Sequence, residues 1–267
     1  SAVVLGQLRS AGLYPGIDAP VFSPHGGSVA PGTGITITAP AGTIYYTLDG
    51  SDPRLPGGAI SGSAATYSVP PVFSGPGQLK ARVLNGGEWS ALTSAFFSID
   101  SEPASPANLV ISEIHYHPGE PSTPGEIAIS LDRDDYEFVE LYNIGPKAVD
   151  LTGVLFSNGI SFAFADHTLL ASGARLVLVR DLAAFTARYG PPDPGLVGGE
   201  YSGRLSNDGE QLTLAKLGFG TLHELTYSDQ PPWPVDADGI GYSLILLAPA
   251  NNPDPAVPAN WAAGSTL

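Results

Sequence analysis

Acidic side chains beside turns are the first residues of this chain that could do chemistry. Asp132-Arg133-Asp134-Asp135 and Asp236-Ala237-Asp238-Gly239 offer the hard oxygen ligands that calcium takes. Asp134, Asp236 and Asp238 are therefore the candidate metal ligands, and calcium is the one cofactor left open. Asp-x-Asp-Gly begins like a calcium loop, yet the remaining EF-hand spacing and its closing Glu are missing. Asp-Gly is equally a turn dipeptide. Glu113, His115 and His117 alternate along one predicted strand, and two imidazoles with a carboxylate are a zinc donor set. The plain alternative is the polar alternation of a solvated sheet face. Glu137 and Glu140 lie three apart on a strand, face opposite sides, and cannot form a glycosidase pair with each other. Glu113 and Glu140 come close if their strands pair. His25, His167 and His223 are isolated and read as surface or loop residues.

Other chemistries lack their parts. A serine hydrolase of the elbow type needs Gly-x-Ser-x-Gly, which does not occur, and Ser90 reads as an ordinary strand residue. Gly218-Phe219-Gly220 lacks the third glycine and following helix of a nucleotide loop. Aromatic rings offer one further possibility. An exposed ring can stack on a pyranose, and the chain has Trp89, Trp233 and Trp261, with Tyr45, Tyr46 and Tyr67 in its first half. Sandwich proteins more often bury such rings. Trp233, in the stiff Pro231-Pro232-Trp233-Pro234 loop, is expected to be partly exposed and is the candidate carbohydrate-contacting residue.

The elements that must position these residues read as β. The 267 residues suit about two domains, and 43% hydrophobic residues suffice for real cores. Gly 33 and Pro 26 punctuate short apolar runs, which favours many strands over long helices. The formal net charge of -15, with only 11 Lys+Arg, repels phosphate backbones and argues against nucleic-acid binding. There is no cysteine, so disulfides, thiolate zinc sites and a cysteine nucleophile are excluded. There is no methionine, even at position 1, which suggests a cut or processed piece; no membrane-spanning apolar run is visible.

Val4, Leu5, Leu8 and Ala11 have helical spacing, with Gly12 as a C-terminal cap and Pro15 as a stop. Residues 1–16 are expected to be the tail of a missing upstream domain or a helix docked on the first sandwich. Residues 17–99 alternate as strands, notably Ile35-Thr36-Ile37-Thr38, Thr43 to Leu48 and Gln78 to Leu84, with a turn at Asp49-Gly50-Ser51-Asp52-Pro53. Residues 100–108 are polar and Pro-rich and read as a linker. Residues 109–250 carry further strands at Leu109 to Tyr116, Tyr136 to Asn143, Ser161–Phe164, Arg175–Val179, Gln211–Ala215, Leu222–Tyr227 and Ser243–Leu247. Asn207-Asp208-Gly209 predicts a hairpin, and Asp181 predicts a helix carrying Leu182, Phe185 and Tyr189, closed by Gly190. Residues 251–267 read as a tail.

Phe22-Ser23-Pro24-His25-Gly26-Gly27, Ile44 through Pro53, Lys80-Ala81-Arg82 and Trp89-Ser90 resemble the C-terminal domain of chitobiases and β-hexosaminidases. That resemblance covers about Ala19 to Phe97 and implies a small immunoglobulin-like accessory module, without the family's catalytic barrel. Ile111-Ser112-Glu113-Ile114, Glu137 through Asn143, Asp150-Leu151-Thr152-Gly153, Leu170-Ala171-Ser172-Gly173 and Asp238 through Leu244 resemble the bacterial lamin-tail domain. This covers about Asn108 to Pro249 and implies a second, usually non-catalytic, immunoglobulin-like sandwich. In it, Glu113 and Glu140 belong to the fold signature and are expected to be structural, bonding loop amides. The order of parts, with Gln7-Leu8-Arg9-Ser10-Ala11-Gly12-Leu13-Tyr14-Pro15 ahead of them, is similar to the C-terminal region of large secreted proteins with a spore-coat-H-like kinase domain.

The expected fold is all-β, two tandem immunoglobulin-like antiparallel sandwiches. The expected role is a non-catalytic structural or interaction region of a larger bacterial protein, extracellular, periplasmic or at the cell surface. Its partners would be a polysaccharide or another extracellular protein, besides its own upstream domain. The alternatives are a carbohydrate-binding module that directs an upstream enzyme, which exposed coplanar aromatics would support, and an enzyme with a cleft at the domain boundary.

Overall fold

The computed structural model of the protein describes residues 2–264. It is dominated by strands and divides into two compact units, Ser1–Ser101 and Glu102–Leu267.

Unit 1 begins with helix α1 (Ala2–Ser10), which ends at Gly12 in the left-handed region (φ +68°). Arg9 holds the following turn by bonding the Pro15 carbonyl and Asp18. Eight strands follow: β1 (Val21–Ser23), β2 (Gly27–Val29), β3 (Thr36–Thr38), β4 (Thr43–Thr47), β5 (Ala65–Thr66), β6 (Gly77–Asn85), β7 (Glu88–Trp89) and β8 (Thr93–Ile99). The larger sheet has the order β2-β8-β6-β4-β5, with β7 paired to β6; β1 and β3 form a second, two-stranded sheet. Alternation explains the facing. Leu79, Ala81 and Val83 of β6 are buried while its intervening residues are half-exposed. Leu79 and Ala81 meet Phe22, Ile35, Ile37 and Phe97 in the core between the sheets. The Asp49-to-Pro53 turn forms as its residues require. Asp49 accepts from the Ser51 amide and hydroxyl (2.9 and 2.6 Å), and Gly50 has φ +77°.

Strand β9 (Ser101–Pro103) begins at the last residue of unit 1, and unit 2 continues with β10 (Leu109–His115), α2 (Pro124–Ile129), β11 (Phe138–Asn143), β12 (Ala148–Asp150), β13 (Val154–Asn158), β14 (Phe162–Ala163), β15 (Leu169–Leu170), β16 (Arg175–Val179), α3 (Leu182–Tyr189), β17 (Val197–Glu200), β18 (Gln211–Lys216), β19 (Gly220–Thr226), β20 (Leu244–Leu246) and β21 (Trp261–Ala263). A six-stranded sheet, β17-β16-β11-β10-β20-β21, packs over one large core against the four-stranded sheet β14-β13-β18-β19. Strands β15, β12 and β9 form a third sheet. Most pairings are antiparallel, but β2 runs parallel to β8 and β17 parallel to β16.

Several expectations need correction. Residues 100–108, expected to be a linker, are built into the fold: Ser101–Pro103 form β9, and Ala104 and Asn108 are buried. Asn108 locks the bend, accepting from the Ser105 amide and donating to the Pro103 carbonyl. Residues 251–264 are not a tail, because β21 pairs with β20 and Trp261 enters the core. Residues 265–267 lie outside the described residues. Asn207-Asp208-Gly209 is a turn without a hairpin, since β18 pairs with β13 and β19 instead. Finally, β10 is buried along its whole length. One face meets the large core. The other lies beneath α2 and α3, where Phe138, Val177, Val179 and Phe185 form a second apolar cluster.

Among the described residues no helix is long and apolar enough to cross a membrane.

Candidate functional site

The helices over β10 and β11 create the chemically richest place in unit 2. Helix α3 starts as Asp181 predicts, its carboxylate accepting from the Ala184 amide at 2.8 Å. It turns Phe185 and Tyr189 onto Phe138, while Leu182 is left exposed. Helix α2 was not expected, although its signal is present. Thr123-Pro124-Gly125-Glu126 is a capping box with Pro at the first turn: Thr123 accepts from the Glu126 amide, and Glu126 accepts from the Thr123 amide at 2.8 Å.

Between these helices and the sheet lies a cavity of about 300 Å³. Its walls include Glu113 and His115 from β10, Glu126 from α2, Arg188 and Tyr189 from α3, and Ser243 ahead of β20. Arg188 bonds Glu126 at 2.5 Å and lies over the Tyr136 ring at 3.8 Å. Burial alone would raise the Glu126 carboxyl, but the Arg188 bond and the Thr123 and Ser122 amides outweigh it and hold it down at about 2. Glu113 has a different environment. It accepts from the Ser243 hydroxyl at 2.5 Å and stands opposite Glu140 in the β10–β11 register. Burial first, then the charge of Glu140, raises its carboxyl; Ser243 and Arg175 oppose the rise. Glu140 accepts from Ser112 at 2.7 Å and pairs with Arg175, which stacks on Tyr142. His115 is only 3% exposed, and burial, helped by the charges of Arg188 and His117, pushes its imidazole down to about 3. Its Nδ1 meets the Tyr189 hydroxyl at 3.1 Å, while its Nε2 has no partner. Burial raises Tyr189 to about 12.

Glu113 and Glu140 thus come together, but they bond side chains rather than loop amides. Glu126 and Glu137 are buried carboxylates that do bond loop amides. Glu137 is fully buried on the opposite side of β11 from Glu140, where Oε2 accepts from the Tyr201 hydroxyl (2.9 Å) and the Leu205 amide (2.8 Å). Burial raises its carboxyl to about 8 against those two bonds.

The other candidates do not converge. Among the described residues no three His, Cys, Asp or Glu side chains form a group that could hold a metal ion. Asp134 is buried at a 3-10 turn (Arg133–Tyr136), facing Arg204 and Asn207 at 3.4 Å. Asp236 sits exposed on a separate turn (Val235–Ala237), and Asp238 pairs with His117. His117 has left the strand, so the alternating Glu113-His115-His117 donor set does not exist. His25 and His167 are exposed as expected; His223 is buried and meets the Leu109 carbonyl at 2.6 Å.

Trp233 is not a sugar platform. It is 7% exposed and packs on Trp261 at 6.0 Å with 43° between ring planes. The strand expected to be a tail supplies its cover. Trp89 is buried as well and donates to the Gly58 carbonyl, while Tyr45, tilted against Trp89, and Tyr46 and Tyr67, edge to face with each other, are half-buried. Ser90 is structural, accepting from the Val83 amide and donating to the Ala91 carbonyl.

With this geometry in view, two family models match parts of the chain. Residues 102–228 match the Lamin Tail Domain. Residues 35–97 match the model described as Fn3 associated. No curated protein matches. Among solved structures, a DUF4876 family protein from Bacteroides thetaiotaomicron is 12% identical, with a TM-score of 0.22, and the match covers 52% of this chain and 43% of that one. A likeness that slight carries no argument. The lamin-tail match begins at Glu102, the first residue of unit 2, and ends short of β20 and β21, which complete its six-stranded sheet.

Proposed function

We propose that this chain is a non-catalytic structural and interaction region of a larger extracellular or cell-surface bacterial protein, serving as a spacer, surface attachment or protein-docking segment. One observation carries the reading: three buried carboxylates of unit 2, Glu126, Glu137 and Glu140, are used by the fold. Glu126 caps α2 and binds Arg188, Glu140 binds Ser112 and Arg175, and Glu137 ties down the Tyr201–Leu205 loop. The Lamin Tail Domain and Fn3-associated matches support the same view. The finer reading retains the chitobiase-like module and an upstream domain of the spore-coat-H-like kinase kind, in which any catalysis would reside. A formal charge of -15 would keep such a region soluble and apart from anionic surfaces.

The test is co-sedimentation of the purified chain with a panel of insoluble polysaccharides, in calcium and in chelator, alongside turnover assays on chromogenic glycosides. The expected result is no saturable binding and no release. Saturable binding in either condition would replace the spacer reading with a carbohydrate-binding module, and release of chromophore would make the chain an enzyme.

A further inference from the structure

Two Asn-Gly dipeptides occur in the chain, Asn85-Gly86 and Asn158-Gly159. Such a pair carries its own chemistry, because glycine, lacking a Cβ, lets its amide nitrogen approach the asparagine side chain. The structure treats the two differently. Asn158 donates from Nδ2 to Gln211 Oε1 at 2.8 Å, and Gly159 is hemmed in: a Cβ there would stand 2.3 Å from Leu212 Cδ2 and 3.1 Å from the Gln211 carbonyl. Asn85 ends β6 exposed to solvent, and Gly86 and Gly87 carry the chain into β7 with φ of +59° and +88°. Among the described residues nothing bonds the Asn85 amide group or the Gly86 N–H. Beyond its chain neighbours, no atom lies within 4 Å of where a Gly86 Cβ would stand.

We propose that Asn85 is a covalent modification site, deamidating spontaneously in the folded chain while Asn158 is protected. The Gly86 nitrogen gives its proton to solvent hydroxide and attacks Asn85 Cγ. The new Cγ–N bond closes a cyclic imide, the Cγ–Nδ2 bond breaks, and Nδ2 takes a proton from water and leaves as ammonia, which restores the hydroxide. Water then opens the imide at either carbonyl, leaving aspartate or isoaspartate at position 85. The open turn lets the backbone rotate for ring closure. At Asn158 the same step must first break the Gln211 bond, in a turn with no room beside Leu212. The consequence at Asn85 reaches α1. Asn85 stands opposite Glu88 in the β6–β7 register, and Glu88 Oε1 accepts from the Gly16 amide at 2.8 Å, holding the segment that follows α1. Either product sets a second carboxylate against Glu88, and isoaspartate also adds a methylene to the backbone. Like charges directly opposite on paired strands repel, so the hold on Gly16 loosens.

The experiment is incubation of the purified full chain in mildly alkaline buffer, with and without denaturing urea, followed by peptide mass mapping and isoaspartate labelling over time. In the folded chain the Asn85 peptide is expected to gain one dalton and label about tenfold faster than the Asn158 peptide. In urea the two rates are expected to converge, because both asparagines precede glycine. The proposal is overturned if Asn158 keeps pace with Asn85 in the folded chain, or if the difference survives in urea and so owes nothing to the fold. The consequence is read separately by hydrogen exchange of the ¹⁵N-labelled Asn85→Asp variant, which carries the new charge without the extra methylene. Its Gly16 amide is expected to exchange about threefold faster than in wild type. Unchanged Gly16 exchange in the folded variant would overturn the link to Glu88. The mass mapping on the wild type decides the site even if the variant fails to fold.

Discussion

Replacing Glu137 with Gln should flatten the pH dependence of unit 2 stability on its neutral side. The carboxyl is fully buried, and burial raises it from 4.5 to about 8. Its Oε2 accepts two bonds and its Oε1 has none, which suits a protonated acid. The sign follows from proton counting: between these limits the native state keeps a proton that the unfolded chain releases, so stability falls as pH rises. Each pH unit is worth about 1.4 kcal/mol, and the whole span from 4.5 to about 8 costs at most about 5 kcal/mol. Between pH 5.5 and 7.5 the wild type should lose about 2.5 kcal/mol through this group. Glutamine reproduces the neutral shape, so Glu137→Gln should gain about that much relative to wild type over the same interval. Urea unfolding followed by tryptophan fluorescence in a Trp89→Phe background reads unit 2 alone, through Trp233 and Trp261. Wild-type and variant stabilities that run parallel between pH 5.5 and 7.5 would refute the reasoning.

Two further outcomes follow from the packing. Trp261→Ala should cost unit 2 about 3 to 5 kcal/mol by opening the core beside Trp233, with the unit 1 transition unmoved; calorimetry of the two transitions checks this. Glu126→Gln should cost about 3 kcal/mol at pH 7, since it strands the Arg188 guanidinium and weakens the α2 cap. Because the folded carboxyl lies at about 2 against 4.5 unfolded, its contribution is complete above 4.5 and fades as pH falls towards 2. The gap between variant and wild type should therefore narrow in urea midpoints taken at pH 7 and pH 3.

Sheet-forming segments were legible wherever one face stays wet. Ile35 to Thr38 and the strand through Leu79, Ala81 and Val83 alternate plainly, and the buried members are the apolar ones. The pattern misled where both faces are covered. In β10 the alternating Glu113 and His115 looked like a solvated face, yet they lie under α2 and α3, and although the period of Leu182, Phe185 and Tyr189 announces α3, nothing local places it over this strand. Helix α2 is only six residues long, too short for a periodic signal, and its capping box was the readable clue. Trp233 was misjudged for a non-local reason: its cover comes from Trp261, across a Pro-rich stretch without periodicity. The cavity was hidden for the same cause. Glu126, Arg188 and Ser243 come from three separate segments, and nothing local to any of them foretells their meeting with Glu113.

The pairing of β10 with β20 sets a schedule for synthesis. Glu113 lies opposite Ile245, and β20 in turn supports β21, so a central strand of unit 2 waits for partners supplied by segments far downstream. Unit 1 is compact within Ser1–Ser101 and is expected to mature while its successor is still emerging from the ribosome. Until Leu246 is free β10 keeps one edge unpaired, and until Trp261 follows Trp233 lacks its cover. That interval exposes a strand edge and an indole together, and it is when the nascent protein is most open to wrong pairing with a neighbouring copy.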